Sequence, residues 1–441
     1  MNWKKLWGCL GFCCLICAGA WAGKGPDRPA GNPEPAGWYA GDAHVHLDCG
    51  VGSGHDPMTA GEILAAMKIH NLAVVSLLAD MGNGEVRVAD RDLPQVNGLD
   101  YPDSAAGRLL HWDAEWHFDP QGVTFEKKVV GGHLILLGLK HAKTIFAEYP
   151  YPIIEWAKKQ GAMAGFAHMQ YLNDGIPNEL SCCLPLDYPV EVALGTVDFL
   201  MEDVGRNEAA LHAYYRLLNC GFRPGLAAAT DFPCNDRKPI GTLLTYVAIP
   251  GGRLTYRNWI EGIARGRTVI STSGHAEFLD LKVEGTAGPG DEIRLRRGRQ
   301  LPVTVRWSVV QPLLGRIELV RNGEVIDSRG GSASPGAPLE MRVSIEFLES
   351  GWLSARRMDN QGHQTHTAAV FVTVQQAPIR ASAEDALYFV RFIDNLLQKT
   401  SPGGPWNQYF SRDLAAAQKR YRQARKIFQE IATETRRKNN P

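Results

Sequence analysis

A chain of 441 residues exceeds one ordinary domain and leaves room for two or three. Hydrophobic residues make up 44% and charged residues 21%, a balance that supports a sizeable buried core. The 47 lysines and arginines equal the 47 aspartates and glutamates, so no net field draws the chain to nucleic acid or to an anionic membrane, and neither is expected as a partner.

The N-terminus reads as a secretory signal over residues 1–22. Lys4 and Lys5 form a positive start, an apolar run follows from Leu6 to Ala18, and Ala20-Trp21-Ala22 offers a small-x-small site with cleavage expected after Ala22. The run falls short of the roughly 20 residues a spanning helix needs, so a periplasmic or secreted protein without stable membrane insertion is expected. Four of the nine cysteines leave with the signal. Cys49, Cys182, Cys183, Cys220 and Cys234 remain, an odd set that allows one or two disulfides but matches neither a disulfide framework nor a CxxC zinc pattern. The adjacency of Cys182 and Cys183 has no evident reason.

Residues 23–37, rich in Gly, Pro and Ala, read as a flexible linker. Over residues 38–275, short apolar runs alternate with amphipathic helical stretches. Ala43–His46 reads as a buried strand entering a loop. Thr59-x-x-Glu62 is a capping box that opens a helix with Ile63, Leu64 and Met67 on one face. Leu72–Ala79, His133–Leu139, Met163–His168 and Gly225–Asp231 follow as strands, with helices at Pro152–Gln160 and Asn207–Asn219. This alternation predicts a parallel α/β fold, and about seven such units suit a barrel better than an open sheet. Residues 276–376 change to short runs of period-two character, with Asn322-Gly323 marking a tight hairpin, and predict an all-β sandwich. Residues 377–441 predict a helical hairpin that opens at Ser382-x-x-Asp385 and breaks at Pro402-Gly403-Gly404-Pro405.

The histidines are unevenly placed: eleven of thirteen lie between His44 and His275. In Asp42-Ala43-His44-Val45-His46 the two imidazoles sit at i and i+2 of a strand, on the same side, where both can grip one metal ion. His133 opens one apolar strand, His168 closes another, Asp231 ends a third, and Glu115 lies between Trp112 and Trp116 in what reads as a polar loop. If parallel strands converge on one mouth, these ligand-type residues meet there.

Gly41-Asp42-His44-Val45-His46, Glu115 followed by Gly132-His133-Leu134, Ala167-His168 and Thr230-Asp231 occur in an order that resembles the polymerase-and-histidinol-phosphatase (PHP) superfamily. Within it, Tyr214–Asp231, Gly132–Leu139 and Gly266–Gly274 are similar to the CehA/McbA metallohydrolases, the carbaryl-hydrolase-like group, and the likeness extends over the mature chain. The resemblance implies an α/β fold with a distorted (β/α)7 barrel, followed by the sandwich and helices. It also implies metal ligation by His44, His46, Glu115, His133, His168 and Asp231, with Glu115 bridging. Two departures bear on metal number: Leu78-Ala79-Asp80-Met81 has no histidine where the superfamily carries one, and Asp231 is followed by Phe232-Pro233. Two divalent transition-metal ions (zinc, manganese or iron) are therefore expected.

The chemistry that follows is hydrolysis by metal-activated water. Asp231 orients the nucleophile and accepts its proton, and His117 or His111 protonates the leaving group. Arg223 clamps an anionic substrate, while Trp112, Trp116 and Tyr171 line an apolar one. The small-molecule substrate expected is a carboxylic or carbamic ester. A PHP-type phosphoesterase and a non-catalytic exported metal- or ligand-binding protein are the alternatives, and a homodimer built on the sandwich and helices is compatible with all three.

Overall fold

The computed structural model describes residues 31–49, 56–83, 89–118, 131–180, 183–202, 208–234 and 238–439. The expected signal and most of the expected linker lie outside them. Among the described residues no helix is long and apolar enough to cross a membrane.

The first part of the chain carries strands β1 (Trp38–Val45), β2 (Val74–Asn83), β3 (Leu109–Phe118), β4 (Leu134–Leu137), β5 (Met163–Phe166), β6 (Phe199–Glu202), β7 (Gly225–Ala228), β8 (Leu244–Ala248) and β9 (Thr268–Ser271). Between them run helices α1 (Ala60–Ile69), α2 (Ala89–Asp92), α3 (Tyr151–Lys158), α4 (Tyr188–Ala193), α5 (Glu208–Asn219) and α6 (Tyr256–Ala264). The capping box at Thr59 forms: Glu62 N–H donates to Thr59 Oγ1 (3.3 Å), and Thr59 N–H donates to Glu62 Oε2 (2.7 Å).

The expected (β/α)7 barrel is not what these strands build. They belong to one mixed sheet of 15 strands whose path runs β7-β6-β5-β4-β3-β2-β1-β8-β9 and continues into the second part of the chain. β1 pairs with β2 in parallel but with β8 antiparallel, and β4 is antiparallel to both β3 and β5. The physical reason lies in what periodicity encodes. An apolar run marks a buried strand, but it carries neither direction nor neighbour, and α3 here connects two antiparallel strands where a crossover was expected.

The remaining strands are β10 (Glu277–Val283), β11 (Glu292–Leu295), β12 (Arg299–Val309), β13 (Leu313–Arg321), β14 (Glu324–Ala333), β15 (Leu339–Phe347), β16 (Gly351–Asp359), β17 (Gly362–Thr367) and β18 (Val370–Val374), followed by helices α7 (Ala383–Lys399) and α8 (Leu414–Asn439). This part is β-sandwich-like. β10, β12 and β15 form a separate three-stranded sheet, while the others extend the large sheet through the β17–β9 pair. Asn322 (φ +51°) and Gly323 (φ +92°) both adopt the left-handed conformation that a two-residue hairpin turn requires. Helices α7 and α8 pack through Phe389 and Phe428, whose rings lie 4.6 Å apart. Glu148 anchors the start of α8 by accepting from the backbone N–H of Ser411, Arg412 and Asp413 at 2.8–2.9 Å.

Two parallel strands position the site. β2 and β3 run in register from Val74–Leu109 to Asn83–Phe118, which sets Asp80 beside Glu115. Alternation places His111, Asp113, Glu115 and His117 on one face of β3 and Leu110, Trp112, Ala114 and Trp116 on the other. The apolar neighbours on the polar face include Val74, Leu78, Ile135, Phe199 and Met201, closed by Trp259, Ile260 and Ile263 of α6.

Candidate metal centre

His44 and His46 leave the end of β1, where the register shifts between Asp42 and Val45. Both rings are buried, with their Nε2 atoms 3.1 Å apart. His46 Nδ1–H donates to the Leu78 carbonyl (3.0 Å), which fixes its tautomer and presents the Nε2 lone pair to the cluster.

Glu115 lies at the middle. Its Oε2 is 3.3 Å from His44 Nε2, 3.1 Å from His46 Nε2 and 3.1 Å from His117 Nε2. Its Oε1 is 2.9 Å from His133 Nδ1 and 3.4 Å from His168 Nε2. His133 Nδ1 and His168 Nε2 stand 3.0 Å from each other. Asp231 Oδ1 lies 3.1 Å from His44 Nε2, and Asp80 Oδ1 lies 3.3 Å from His46 Nδ1 and 3.5 Å from His117 Nε2. All eight side chains are buried.

Charge follows from that packing. Burial alone would raise the Glu115 pKa, but the positive ends of His44, His117 and His133 outweigh it and hold the carboxyl well below its usual range. Burial likewise works against a charged His117, yet Glu115 and Asp80 keep it well above the ordinary imidazole value. His133 goes the other way, down to about 3, through burial and then the field of His117. For Asp80, burial is again outweighed by His117 and His46, and its pKa falls.

Two pairs of imidazole nitrogens face each other at 3.0–3.1 Å, and a single hydrogen at most fits between the members of each pair. A buried set so rich in lone pairs suits a cation better than a network of hydrogen bonds. Three groups have the proximity to hold a metal ion: His44, His46, Glu115 and Asp231; Glu115, His117 and His133; and His133, His168 and Cys183. They overlap at Glu115 and His133, so their ligands are shared. Cys183 is disulfide-bonded, so its sulfur is not a thiolate ligand in this oxidised state.

Several supporting residues escaped the sequence reading. Asp42 is fully buried, and its carboxylate accepts from the N–H of His44 (3.3 Å) and of Thr230 (3.1 Å) and from Thr230 Oγ1 (2.6 Å), tying the end of β1 to the segment that carries Asp231. Burial pushes the Asp42 carboxyl up to about 7, opposed in part by the Thr230 bonds. A disulfide joins Cys49 to Cys234, each three residues beyond a candidate ligand, His46 and Asp231 respectively. His168 (φ +60°) and Asp231 (φ +50°) hold left-handed backbones that cost non-glycine residues energy and often mark functional positions.

Other sequence candidates lie elsewhere. Glu115 stands within β3, not in a loop. Trp112 and Trp116 point to its opposite face and pack in the hydrophobic core, where Trp116 Nε1–H donates to the Ile145 carbonyl (3.1 Å). Arg223 precedes β7, whereas Asp231 follows it. Its guanidinium donates to Glu292 (2.7 Å) and covers the Phe371 ring at 4.4 Å, so it is not part of the cluster. His111 stacks on Tyr256 at 3.8 Å and donates to Asp100. Tyr171 is 46% exposed, with its ring 5.8 Å from that of His168.

No family model matches the chain, and none of the curated proteins does. Among solved structures, the sulfur carrier protein SoxY from Chlorobium limicola f thiosulfatophilum is 16% identical over 22% of this chain and 78% of its own, with a TM-score of 0.17. The CARDB domain of PF1109 from Pyrococcus furiosus is 12% identical over 23% of this chain and 98% of its own, with a TM-score of 0.17. An engineered protein is 14% identical over 40% of this chain and 49% of its own, with a TM-score of 0.16.

Proposed function

We propose that this protein is an exported metal-dependent hydrolase that cleaves a carboxylic or carbamic ester. One observation carries the reading: Glu115 sits between two facing pairs of imidazole nitrogens, one oxygen toward each pair, as a carboxylate bridging two ions would. The donor set is imidazole and carboxylate, which accepts zinc, manganese or iron. His44, His46, Glu115 and Asp231 would hold one ion, and Glu115 with His133 and its neighbours a second. The motif resemblance to the carbaryl-hydrolase-like group supports the same chemistry, and the Cys49–Cys234 disulfide supports an oxidising compartment.

When bound, a divalent ion lowers the pKa of water from about 15.7 to about 7 and polarises the scissile carbonyl. The chain's own residues do the rest. Asp231 orients the attacking water and accepts its proton. His117, held between Glu115 and Asp80, returns a proton to the leaving group. Tyr171 offers its ring to an apolar substituent.

Elemental analysis of the purified protein, beside a His44→Ala/His46→Ala variant, tests the metal. Aryl ester, aryl carbamate and phosphodiester substrates assayed side by side test the reaction. Metal lost in the variant together with ester or carbamate cleavage is the expected result. Phosphodiester cleavage alone assigns the site to the phosphoesterase class, and bound metal with no turnover makes the protein a binding protein.

A further inference from the structure

We propose that the His133–His168 side of the centre is redox-controlled: reduction of the Cys183 disulfide frees a thiolate that completes a His–His–Cys seat for a soft divalent ion. This rests on the reading of the cluster as a metal centre.

Two independent features place the sulfur. Cys183 Sγ and one ring nitrogen each of His133 and His168 lie within 4.8 Å of one another, and all three side chains are buried. The segment carrying the cysteine is also pressed onto the backbone just before His133. Gly132 (φ +87°) has room for no side chain, since a Cβ there would stand 2.6 Å from Pro185 Cα and 3.0 Å from the Leu184 carbonyl oxygen. The main chain just after Cys183 is thus packed against the backbone that carries His133.

The chemistry of the two states differs sharply. Cys183 is disulfide-bonded, with a partner outside the described residues, and a disulfide sulfur is a feeble donor to a metal. A thiolate is a strong and soft one, and with two imidazoles it favours zinc, cobalt or copper over the harder manganese. The conversion balances with a phosphine as reductant. The phosphine takes oxygen from water to become its oxide, the S–S bond breaks, and two thiols form. Metal binding then expels the Cys183 proton to solvent. In an oxidising compartment the seat offers its two imidazoles alone, and a reducing one adds the sulfur.

Cobalt(II) is the probe, because thiolate ligation adds a sulfur-to-cobalt charge-transfer band in the near ultraviolet. Full-length protein carrying Cys49→Ser and Cys234→Ser, so that reduction opens no bridge on the His44–Asp231 side, is stripped of metal and titrated with cobalt as isolated and after phosphine reduction and anaerobic desalting. The oxidised protein is expected to bind cobalt with d–d absorption only, and the reduced protein to gain the charge-transfer band. The band should vanish in reduced Cys183→Ser. Should that variant fail to fold, the reduced protein with Cys49 and Cys234 already replaced must lose the band on blocking with iodoacetamide instead. Cobalt bound by the reduced protein without the band, or a band that persists in Cys183→Ser, overturns the proposal while leaving the metal centre standing. An oxidised protein that takes up no cobalt removes the metal centre itself, and the redox seat with it.

Discussion

Replacing both Cys49 and Cys234 with serine tests whether the disulfide is a strap for the proposed metal centre or only a staple for the fold. The bridge closes a sequence separation of 185 residues, for which the chain-entropy estimate is about 5 kcal/mol, with native bridges commonly contributing roughly 2–5. Further bonds hold the same segments: His46 N–H donates to the Phe232 carbonyl (2.6 Å), Thr230 donates to Asp42 through its N–H (3.1 Å) and Oγ1 (2.6 Å), and Cys234 N–H closes a turn on the Asp231 carbonyl (2.7 Å). Without the strap the bonds to Phe232 and Thr230 must hold Asp231 against His44. Equilibrium urea denaturation should therefore show a loss of several kcal/mol in the metal-free variant. If metal affinity also falls tenfold, the increment on adding excess metal should shrink by about 1.4 kcal/mol relative to wild type. A metal-free difference below about 1 kcal/mol would refute the entropic argument. Equal metal-induced increments in the two proteins would refute the strap.

Three more outcomes are expected. Glu115→Gln keeps the shape but removes the charge shared by five imidazoles, so titration should show metal affinity falling by more than the roughly 10–100-fold that loss of an outer-shell partner costs. His363 is buried on β17 between Glu202 of β6 and Glu208 of α5, 3.3 Å from each, with His366 and Arg356 nearby. Burial opposes its charge, but Glu202 and then Glu208 raise its pKa to about 9. A raised folded-state pKa means stability fully present below about 6.5 and lost as pH rises through 9, on the order of 3 kcal/mol in all. His363→Gln should flatten that stretch of the stability–pH curve, and an unchanged curve would show that other groups set it. Gly132→Ala should cost about 1–3 kcal/mol in urea denaturation, because it combines a left-handed backbone with the contact against Pro185.

The candidate ligands that cluster were legible in the sequence, whereas the sheet that assembles them was not. His44 and His46 advertise themselves through i, i+2 spacing, and His168 and Asp231 through their place at strand ends. The polar residues around Glu115 suggest a loop, although Leu109–Phe118 (LLHWDAEWHF) carries the alternation of a strand, with tryptophans on one face and His111, Asp113, Glu115 and His117 on the other. The pattern misled because the ligand-bearing face is polar, the reverse of the ordinary hydrophobic-in rule. Trp112 and Trp116 were drawn toward the site by their nearness in sequence to Glu115, yet a one-residue offset in a strand sends a side chain to the opposite face. Arg223 failed for a related reason. It lies eight residues before Asp231, and β7 intervenes, so the two emerge at different ends of that strand. Strand direction was out of reach altogether, since β4 and β5 look the same in sequence whether parallel or antiparallel.

The missing histidine after Asp80 shows how pairing can supply what a local motif lacks. In sequence, Asp80 has only Ala79 and Met81 beside it, with no histidine to complete the motif. In the sheet, the parallel register of β2 and β3 brings Glu115 level with it and His117 one step beyond, within 3.5 Å of its carboxylate. The imidazole at that corner therefore comes from the neighbouring strand. Its presence depends on the register of β2 against β3: a slip of one residue would turn His117 and Glu115 to the tryptophan side and dismantle the corner. The long apolar face of that pair, with Leu77 and Leu110 buried on it beside Trp112, guards against such a slip. The packing that makes Trp112 and Trp116 useless as substrate contacts thus helps to hold the opposite face, where the candidate ligands meet, in place.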